Sequence, residues 1–589
     1  METVYFDLLK QWCDSLIAHQ VRGMGPAFDG AFLCPACKYE HGRCVDAVYP
    51  FLYLADRTGD PRYVRAAEAV VSWHERHMTC DDGGVYNDPN SDWRGITVFA
   101  ATALCEALER HGSLLSPGVR AAWTDKLARM SEWLFLNLDE SSPTNINYVA
   151  TNAAALALTG RFLDKPAYLA RASRLAAYVL ERITPNGLLW GEGKPRDALT
   201  PRRCRPIDIG YNVEESIPSL VKYALAADDR PAQDQLTEVL RKQLAFMLPD
   251  GAWDNSFGSR NNKWTYFGSR TSDGCQAGYA LLADRDPAFA EAALRNALLL
   301  RDCTRNGLLH GGPHYAQNGV SPCIHHTFTH ANALTCALDA GIERHTGRVS
   351  LPCDHPAPVA HFPEVDTWKL AAGDLRATVT GYDYDLSTGH ASGGSLTLLW
   401  HPSTGPIVAG SVVDYRLVEP LNQQQVLFRS RHRSLVPRIE LWRDGVRYSQ
   451  CYDARSVLSV SGDEQSIRVD VRASLVSLDQ RALPSPVCAE LTYLLTDREV
   501  TLSGRVLGEG AREARFLLPV IAQSVLVEIP GEHSSAPVFF LTGGFSATEY
   551  ALLPDADGRF LARLMLPAGA SLLPKSARDF TCQPHARVL

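Results

Sequence analysis

The sequence predicts an α+β protein of two domains, an N-terminal (α/α)6 toroid, or six-hairpin barrel, followed by a C-terminal antiparallel β-sandwich. Three observations lead to this prediction. Amphipathic and uniformly apolar helical segments alternate in the first part of the chain, and the connections between them are short and long in turn. After about residue 365 the hydrophobic period changes from helical to alternating.

The first kind of helical segment carries charge on one face and is apolar on the other, which is typical of a helix on the outside of a bundle. Six such segments are predicted, at 2–20, 61–78, 117–137, 165–183, 231–248 and 287–303. The second kind is apolar on nearly every side and is therefore expected inside. Its six members begin at Val45, Ile96, Val149, Glu214, Ser272 and Thr329.

The connections set the topology of these helices. Those from inner to outer helices are short and carry Gly, Asp and Pro, as in TGDPR and DRDPA, which favours antiparallel hairpins. Those from outer to inner helices are long, and four of them open with Asp-Gly or Asn-Gly, at Gly83, Gly187, Gly251 and Gly307. Six hairpins of this kind predict a closed toroid whose long loops gather at the N-terminal ends of the inner helices.

The remainder of the chain has the hydrophobic pattern of a β-protein. Runs such as AELTYLLTDREVTLSGRVL alternate apolar and polar residues between Gly, Pro and Asp turns, which predicts antiparallel strands. The segment 345–364 is rich in Pro and lacks periodicity, so it is interpreted as a linker. The predicted domains are thus the toroid at 1–344 and the sandwich at 365–589.

Composition excludes several classes of function. The chain of 589 residues is 46% hydrophobic and 21% charged, enough for large cores. Its net charge of −8 includes no block of Lys or Arg, so no nucleic-acid partner is expected. It has no long apolar run and no signal-peptide pattern at the N-terminus, which predicts a cytoplasmic location without a membrane partner. The 15 cysteines, scattered through helical patterns, fit reduced thiols.

The long loops and the first residues of the inner helices hold an unusual share of the aromatic and polar functional groups. In chain order the candidates are His41, Arg43, Asp46, Trp93, Arg94, Asn147, Asn152, Trp190, Asp208, Tyr211, Asn212, Glu214, Trp253, Trp264, Arg270, His314, Tyr315, His325 and His326. Aromatic rings stack on sugar C–H surfaces while carboxylates and amides bind hydroxyls, so the loops predict a carbohydrate site. The arginines indicate an anionic sugar, because a guanidinium matches a carboxylate.

One segment allows a second interpretation. Cys34, Cys37, His41 and Cys44 have the spacing C-x2-C-x3-H-x2-C, whose thiolates and imidazole would suit zinc. No second Cys pair follows, so the favoured interpretation is that His41 and Arg43 face the toroid mouth with the cysteines packed behind. No metal and no other cofactor are predicted.

The chain resembles carbohydrate-active enzymes that join an (α/α)6 toroid to a β-sandwich. In the heparinase II/III-like polysaccharide lyases an Asn neutralises the uronate carboxylate, and a Tyr and a His act as acid and base. The same order occurs here in Asn147 or Asn152, then Tyr211, then His314, His325 or His326. The stretches FDGAFLCPACKYEHGRCVDAVYPFLYLA and DWRGITVFAATALCEAL are similar to bacterial glycan-utilisation proteins near glycoside hydrolase family 154, the β-glucuronidases.

Two chemistries remain open at this point. Hydrolysis needs an acid and a second carboxylate, for which Glu214 with Asp208 or Asp46 is the candidate pair. β-Elimination needs a base near C5 and neutralisation of the uronate, for which Tyr211, His326 and Asn147 suffice.

Because acids occur in four of the six loop groups, the sequence favours a glycosidase that removes β-glucuronic acid from the ends of oligosaccharides. A lyase that cleaves uronate-containing glycans by β-elimination is the alternative. A non-catalytic glycan-binding protein is the second alternative, and a terpenoid cyclase or protein-modifying toroid is possible on the fold alone.

Overall fold

The computed structural model describes residues 4–36, 38–193, 196–261, 264–265, 268–269, 277–312, 315–316, 319, 321–384, 391–410, 434–521, 523–529, 536–542 and 548–566. They form two compact units. The first lies within Met1–Ala198 and Pro206–His355, and the second within Leu199–Arg205, Pro356–Val418 and Val426–Leu589. No helix in this described part of the chain is long and apolar enough to cross a membrane.

The first unit is helical. Its helices are α1 (Val4–His19), α2 (Val48–Thr58), α3 (Pro61–His77), α4 (Thr97–His111), α5 (Pro117–Asn137), α6 (Ile146–Phe162), α7 (Pro166–Leu180), α8 (Ile209–Tyr211), α9 (Ile217–Ala226), α10 (Arg230–Gln243), α11 (Ala277–Leu281), α12 (Pro287–Asp302) and α13 (Ile324–Asp339). The six predicted outer segments correspond to α1, α3, α5, α7, α10 and α12. The six predicted inner segments correspond to α2, α4, α6, α9, α11 and α13.

The inner helices form a closed ring. Each of α2, α4, α6, α9, α11 and α13 packs against the next, and α13 packs against α2. The first outer helix, α1, packs on the last inner helix, α13, and the Trp12 indole N–H donates to Thr304 Oγ1 at 2.9 Å. This arrangement confirms the predicted toroid. Burial follows the predicted pattern, since α6 is buried on nearly every side while α3 buries one face.

The Gly-containing turns of the long loops form tight hairpins against the neighbouring outer helices. The turn at Gly83 is closed by the bridge between Thr79 and Val85, and the turn at Gly251 is closed by the bridge between Met247 and Trp253. Both glycines have positive φ, 91° and 92°, and a Cβ on either would lie 2.3 Å from a helix carbonyl, of Arg129 or of Arg295. Only glycine fits these positions, so the repeated turn fixes where each loop begins.

Short two-stranded ribbons occur in the long loops, and the other strands belong to the second unit. The strands are β1 (Trp264–Thr265), β2 (Gly268–Ser269), β3 (Thr304–Arg305), β4 (Leu308–Leu309), β5 (Val359–Phe362), β6 (Thr367–Ala372), β7 (Leu375–Thr380), β8 (Ser395–His401), β9 (Gly405–Ala409), β10 (Arg438–Arg443), β11 (Val446–Ser449), β12 (Val457–Gly462), β13 (Ser466–Ser474), β14 (Val476–Ser477), β15 (Cys488–Thr496), β16 (Glu499–Leu507), β17 (Arg515–Val520), β18 (Gln523–Ile529), β19 (Ala536–Thr542), β20 (Thr548–Leu552) and β21 (Arg559–Met565).

Three sheets make up the second unit. Their strand orders are β5-β6-β7-β8-β9, β14-β11-β10-β17-β20 and β12-β13-β15-β16-β21-β19-β18. Inward side chains from all three, such as Val379, Ile439 and Val469, share one apolar core. Pairing is antiparallel as predicted, except that β19 and β21 run parallel.

The division between the units differs from the predicted linker in two respects. Segment 345–364 ends in an ordered strand, β5, rather than continuing as a connection. Residues 199–205, which lie in sequence inside the toroid, pack with the second unit, where Arg202 Nε donates to Asp366 Oδ2 at 2.7 Å. Composition gave no sign of this excursion, because it depends on a few long-range polar contacts.

Candidate active site

The long loops and the first turns of the inner helices, together called the rim below, bring functional groups from five inner helices to one end of the ring. Asp46 lies in the 3-10 turn Gly42–Ala47 before α2, and Phe99 lies at the start of α4. Asn147 opens α6, Glu215 precedes α9, and His325 opens α13. The rim therefore is the place where the sequence predicted a site.

Four histidines, His41, His325, His326 and His330, form a histidine cluster on one side of the rim. The rings of His41 and His325 are stacked, with centroids 4.1 Å apart and planes 23° apart. The His326 ring lies 5.6 Å from that of His325 and 6.0 Å from that of His330, whose Nδ1 bonds to His326 O. All four are buried.

Burial keeps three of these histidines, His41, His325 and His330, neutral. It lowers the pKa of His41 to about 4, with Arg43 adding to the effect and Cys34 and Asp88 opposing it. It also lowers the pKa of His330 to about 4, and that of His325 well below its usual value, where neighbouring His41 and His326 contribute. Neutral imidazoles have a lone pair at neutral pH and can accept a proton.

These histidines should make the protein sensitive to acid. Between pH 6.5 and about 4 an unfolded chain binds protons at His41 and His330 that the folded chain does not, so stability falls as the pH falls through this window. Each histidine can remove up to about 3 kcal/mol. We expect the urea midpoint to drop steeply from about pH 6.5 to about pH 4.5.

Replacing one histidine of the cluster tests whether the cluster causes this loss of stability in acid. His330→Gln should reduce the pH dependence of the unfolding free energy in that window by about one proton, because it removes one depressed group. An unchanged slope would show that His330 titrates normally in the folded protein.

Arg43 and Asp46 form a buried ion pair beside the histidines. Arg43 donates to Asp46 Oδ2 from Nε at 2.9 Å and from Nη2 at 2.6 Å. The guanidinium also lies over the Phe99 ring, 3.8 Å from its centroid. The sequence predicted both residues at the mouth, but it did not predict that they neutralise each other. Asp46 is therefore a bound acceptor rather than a solvated acid.

A second ion pair lies across the rim. Arg260 Nη1 donates to Glu192 Oε1 at 2.7 Å, and Asn145 Nδ2 donates to the same oxygen at 2.9 Å. The Arg260 guanidinium lies over the Tyr211 ring, 4.5 Å from its centroid. Burial raises the pKa of Tyr211 well above its usual range, although Arg260 opposes the shift. Tyr211 is thus a neutral phenol at neutral pH.

Asn147 and Glu215 form a further side-chain contact at the rim. Glu215 lies in the π-helical turn Asn212–Ser216, which precedes α9. Pro218 cannot donate to the carbonyl four residues before it, which favours this widened turn. Asn147 Nδ2 donates to Glu215 Oε1, and Asn147 Oδ1 is buried without a hydrogen-bond partner among the described residues. One Nδ2 hydrogen of Asn147 remains available for a ligand.

Asp208, like Asp46, is held by hydrogen bonds from other groups of the protein. Asp208 caps the helix that follows it, because Oδ1 accepts from Tyr211 N at 3.0 Å. Its Oδ2 accepts from Asn255 Nδ2 at 3.0 Å and from Arg260 N at 2.9 Å. Asp208 is fully buried and has a structural role, and Glu214 is buried in the π-helical turn.

Three predicted binding residues are engaged in structural contacts. Asn152 donates to Leu138 O at 2.8 Å. Asn212 Oδ1 accepts from Leu189 N and Asn212 Nδ2 donates to Leu189 O, so this side chain holds the loop at Leu189 in place. Arg94 pairs with Asp82 at 2.6 Å.

The predicted aromatic residues have different environments. Trp93 is 39% exposed at the rim, whereas Trp253 and Tyr315 are buried. Trp190 lies under the Arg182 guanidinium, 4.9 Å from its centroid. For Trp264 only the backbone, in β1, is described. Arg270 and His314 lie outside the described residues.

The described members of the predicted zinc set do not converge. Cys34 Sγ lies 3.8 Å from Cys323 Sγ, and His41 stacks on His325 instead. Cys44 is buried, and burial raises the pKa of its thiol. Cys37 lies outside the described residues. In the described ranges no group of three or more His, Cys, Asp or Glu side chains is arranged to hold a metal ion.

Tyr148 and Phe99 are rim residues that the sequence analysis did not single out. Both lie in the first turn of an inner helix, and their rings are 6.2 Å apart. Their position in the helix was the available signal, since the long loops were predicted to gather at the N-terminal ends of the inner helices. Because their neighbours in the sequence are mostly apolar, the sequence pattern predicts these two residues as part of the helix core.

Comparison with known proteins gives matches along nearly the whole chain. Residues 9–353 match the family described as ulvan lyase N-terminal domain, and residues 359–529 match the ulvan lyase C-terminal domain. A broad-specificity ulvan lyase of Formosa agariphila is 39% identical over 542 residues, which cover 90% of this chain and 84% of that protein.

Solved structures show the fold. The chondroitin AC lyase of Streptomyces coelicolor A3 superposes with a TM-score of 0.54 at 12% identity, over 96% of this chain and 79% of that chain. The α+β architecture of a helical toroid and a β-sheet domain is thus found in a known enzyme.

Proposed function

The chain belongs to the ulvan lyase family, whose two domain models it matches in order, and on that premise we propose that it is a polysaccharide lyase. It cleaves uronic-acid-containing polysaccharide by β-elimination, and ulvan is the first substrate to test because it is the one named for the relative that is 39% identical.

This proposal replaces the glycosidase predicted from the sequence. The prediction of a hydrolase that releases β-glucuronic acid is wrong, because both family matches and the curated relative are lyases. The comparisons likewise give no support to glycoside hydrolase family 154. The count of acids at the rim was misleading, since a count does not distinguish free carboxylates from paired ones.

The observation that carries the proposal is the neutral, buried imidazole of His41. In β-elimination a base removes the proton at C5 of the uronate, the C5–H electrons form the C4=C5 double bond, and the C4–O bond breaks. His41 Nε2 is buried without a hydrogen-bond partner among the described residues, and its low pKa leaves it deprotonated at neutral pH. A bound uronate brings a negative charge to the rim, which raises the pKa of this imidazole and strengthens it as a base.

Asn147 is proposed to hold the uronate carboxylate. An amide N–H that donates to a carboxylate stabilises the negative charge that develops on C5 and the carboxylate as the proton leaves. The available Nδ2 hydrogen of Asn147 and the nearby Arg260 guanidinium supply donors of this kind.

The rim carboxylates support elimination over hydrolysis. Asp46, Asp208 and Glu192 each accept hydrogen bonds from guanidinium, amide or backbone N–H groups. A glycosidase requires one protonated acid and one carboxylate placed to activate water or attack C1. Because these three carboxylates are already engaged by donors of the protein, they are poorly placed to fill those two roles.

Product analysis tests the function. We expect the purified protein on ulvan to produce a rise in ultraviolet absorbance from unsaturated uronate, and mass spectrometry should show new non-reducing ends that lack one water relative to hydrolysis products. Saturated ends without new absorbance would contradict the proposal. A panel of other uronate polymers, run beside a neutral glucan as control, then defines the range of substrates.

A further inference from the structure

Tyr148 occupies a position at the rim that differs from that of Tyr211. It lies in the first turn of α6, next to Asn147, and is partly exposed. Tyr211 is only 5% exposed and has the Arg260 guanidinium over its ring face. Tyr148 is therefore the more exposed of the two phenols.

The hydrogen bonding of Tyr148 leaves its own proton available. Trp93 Nε1 lies 3.2 Å from the Tyr148 hydroxyl oxygen. An indole N–H is a donor only, so in this bond the phenol oxygen accepts. No hydrogen-bond acceptor for the phenolic hydrogen occurs in the described part of the chain, and the hydroxyl can therefore donate to a bound molecule.

Two aromatic contacts hold the phenol in place. The Trp93 ring packs edge-on against it, with centroids 5.2 Å apart and planes 83° apart. The Phe99 ring contacts it at 6.2 Å and 61°. Phe99 in turn lies under the Arg43 guanidinium. This packing fixes the orientation of the phenol ring at the start of α6, next in sequence to Asn147.

The electrostatic surroundings suit a proton donor. Burial raises the pKa of Tyr148 to about 12, and Glu215 adds to the shift, so the hydroxyl is protonated at neutral pH. The Trp93 hydrogen bond and the charges of Arg260 and Arg43 act in the opposite direction. These three groups would stabilise the phenolate that forms when the proton leaves.

We propose that Tyr148 is the general acid that protonates the leaving sugar oxygen, with Trp93 as its positioning residue. This inference rests on the proposed lyase function. His41 takes the C5 proton, the C5–H pair becomes the C4=C5 double bond, and the C4–O pair moves to the departing oxygen. The departing oxygen takes the Tyr148 proton. After the product leaves, the Tyr148 phenolate takes a proton from solvent and His41 releases its proton to solvent.

The test compares two leaving groups in Tyr148→Phe. On ulvan we expect kcat/KM to fall roughly 10²-fold or more, because an alkoxide leaving group needs an acid. On an oligosaccharide whose non-reducing uronate carries 4-nitrophenyl at O4, the variant should stay within about tenfold of wild type, because a nitrophenolate leaves without a proton. His41→Gln should be impaired on both substrates.

Tyr223→Phe is the matched control. Tyr223 lies in the inner helix α9 and donates to Asp229 Oδ2 at 3.0 Å, so its loss costs one hydrogen bond away from the rim. Turnover of the nitrophenyl substrate also shows that the Tyr148→Phe site is folded. Loss of less than about tenfold on ulvan, or equal losses on both substrates, would overturn the role of Tyr148. A wild-type protein that cleaves no uronate polymer would overturn the proposed function, and the inference with it.

Discussion

Replacing His41 by glutamine should lower kcat on ulvan by roughly 10²- to 10⁴-fold, the contribution typical of a positioned general base. Glutamine keeps a polar side chain of similar reach but has no basic nitrogen. Because His41 packs on His325 and is not placed to hold the carboxylate, KM should change by less than about tenfold. Initial rates from the absorbance of unsaturated uronate measure both constants.

The pH profile adds a second readout for the same residue. The acid limb of kcat/KM reports the free enzyme, so it should lie near the pKa of His41, about 4, rather than near 6.5. Acid unfolding would also lower the measured rate at low pH, so the assays must be short enough that the protein remains folded. An acid limb near pH 6.5 would indicate a solvated base elsewhere and would contradict the assignment.

His111→Gln provides the control for a buried histidine. His111 ends α4 at the opposite end of the inner ring, where it bonds Asp56 Oδ2 at 3.2 Å and Asp339 Oδ2 at 3.1 Å. Its replacement should reduce stability and leave kcat within about twofold. A fall in kcat as large as that of His41→Gln would show that any buried histidine of the toroid matters equally.

The toroid could be predicted from the sequence because its information is local. An outer helix such as α3 shows one apolar face within its own residues, and an inner helix such as α6 shows apolar residues all round. The alternation of loop lengths then sets the topology without any long-range contact. The excursion of 199–205 could not be found this way, because it depends on Arg202 reaching Asp366, far along the chain.

The position of the site was equally predictable, but the state of its groups was not. The long loops identified the rim, yet Asp46 could not be known as the partner of Arg43, since spacing i, i+3 suits an ion pair and a free acid alike. Asp208 precedes a helix, which made a cap possible, and only the three donors around it exclude a role as acid. The stacking of His41 on His325 joins residues from opposite ends of the toroid sequence.

A buried ion pair lies inside the ring of inner helices. Lys222 Nζ of α9 donates to Glu106 Oε2 of α4 at 2.9 Å, and both side chains are largely buried, with 13% and 7% exposed. Cys336 of α13 lies 3.6 Å from Glu106 Oε1. Since α4, α9 and α13 alternate around the ring with α6, α11 and α2, these contacts cross its interior. Burial raises the pKa of the Cys336 thiol to about 12, so this thiol is neutral, and Lys222 is the cation that contacts Glu106 directly.

Lys222→Met should therefore lower the free energy of unfolding by about 3–5 kcal/mol, because it leaves the Glu106 carboxylate buried beside a neutral thiol. Urea unfolding at pH 7 measures this. The double variant Lys222→Met/Glu106→Leu should return to within about 1 kcal/mol of wild type, because apolar side chains of similar volume remove the desolvation cost together with the attraction.

An exposed ion pair serves as the control that distinguishes the loss of a buried partner from a general loss of positive charge. Lys10 pairs with Asp14 at 2.7 Å with 42% and 35% of the side chains exposed, so Lys10→Met should cost only about 0–1 kcal/mol. If Lys222→Met cost no more than Lys10→Met, water would have to reach Glu106 inside the ring. The space enclosed by the inner helices would then be hydrated, rather than the dry environment in which a buried charge needs its partner.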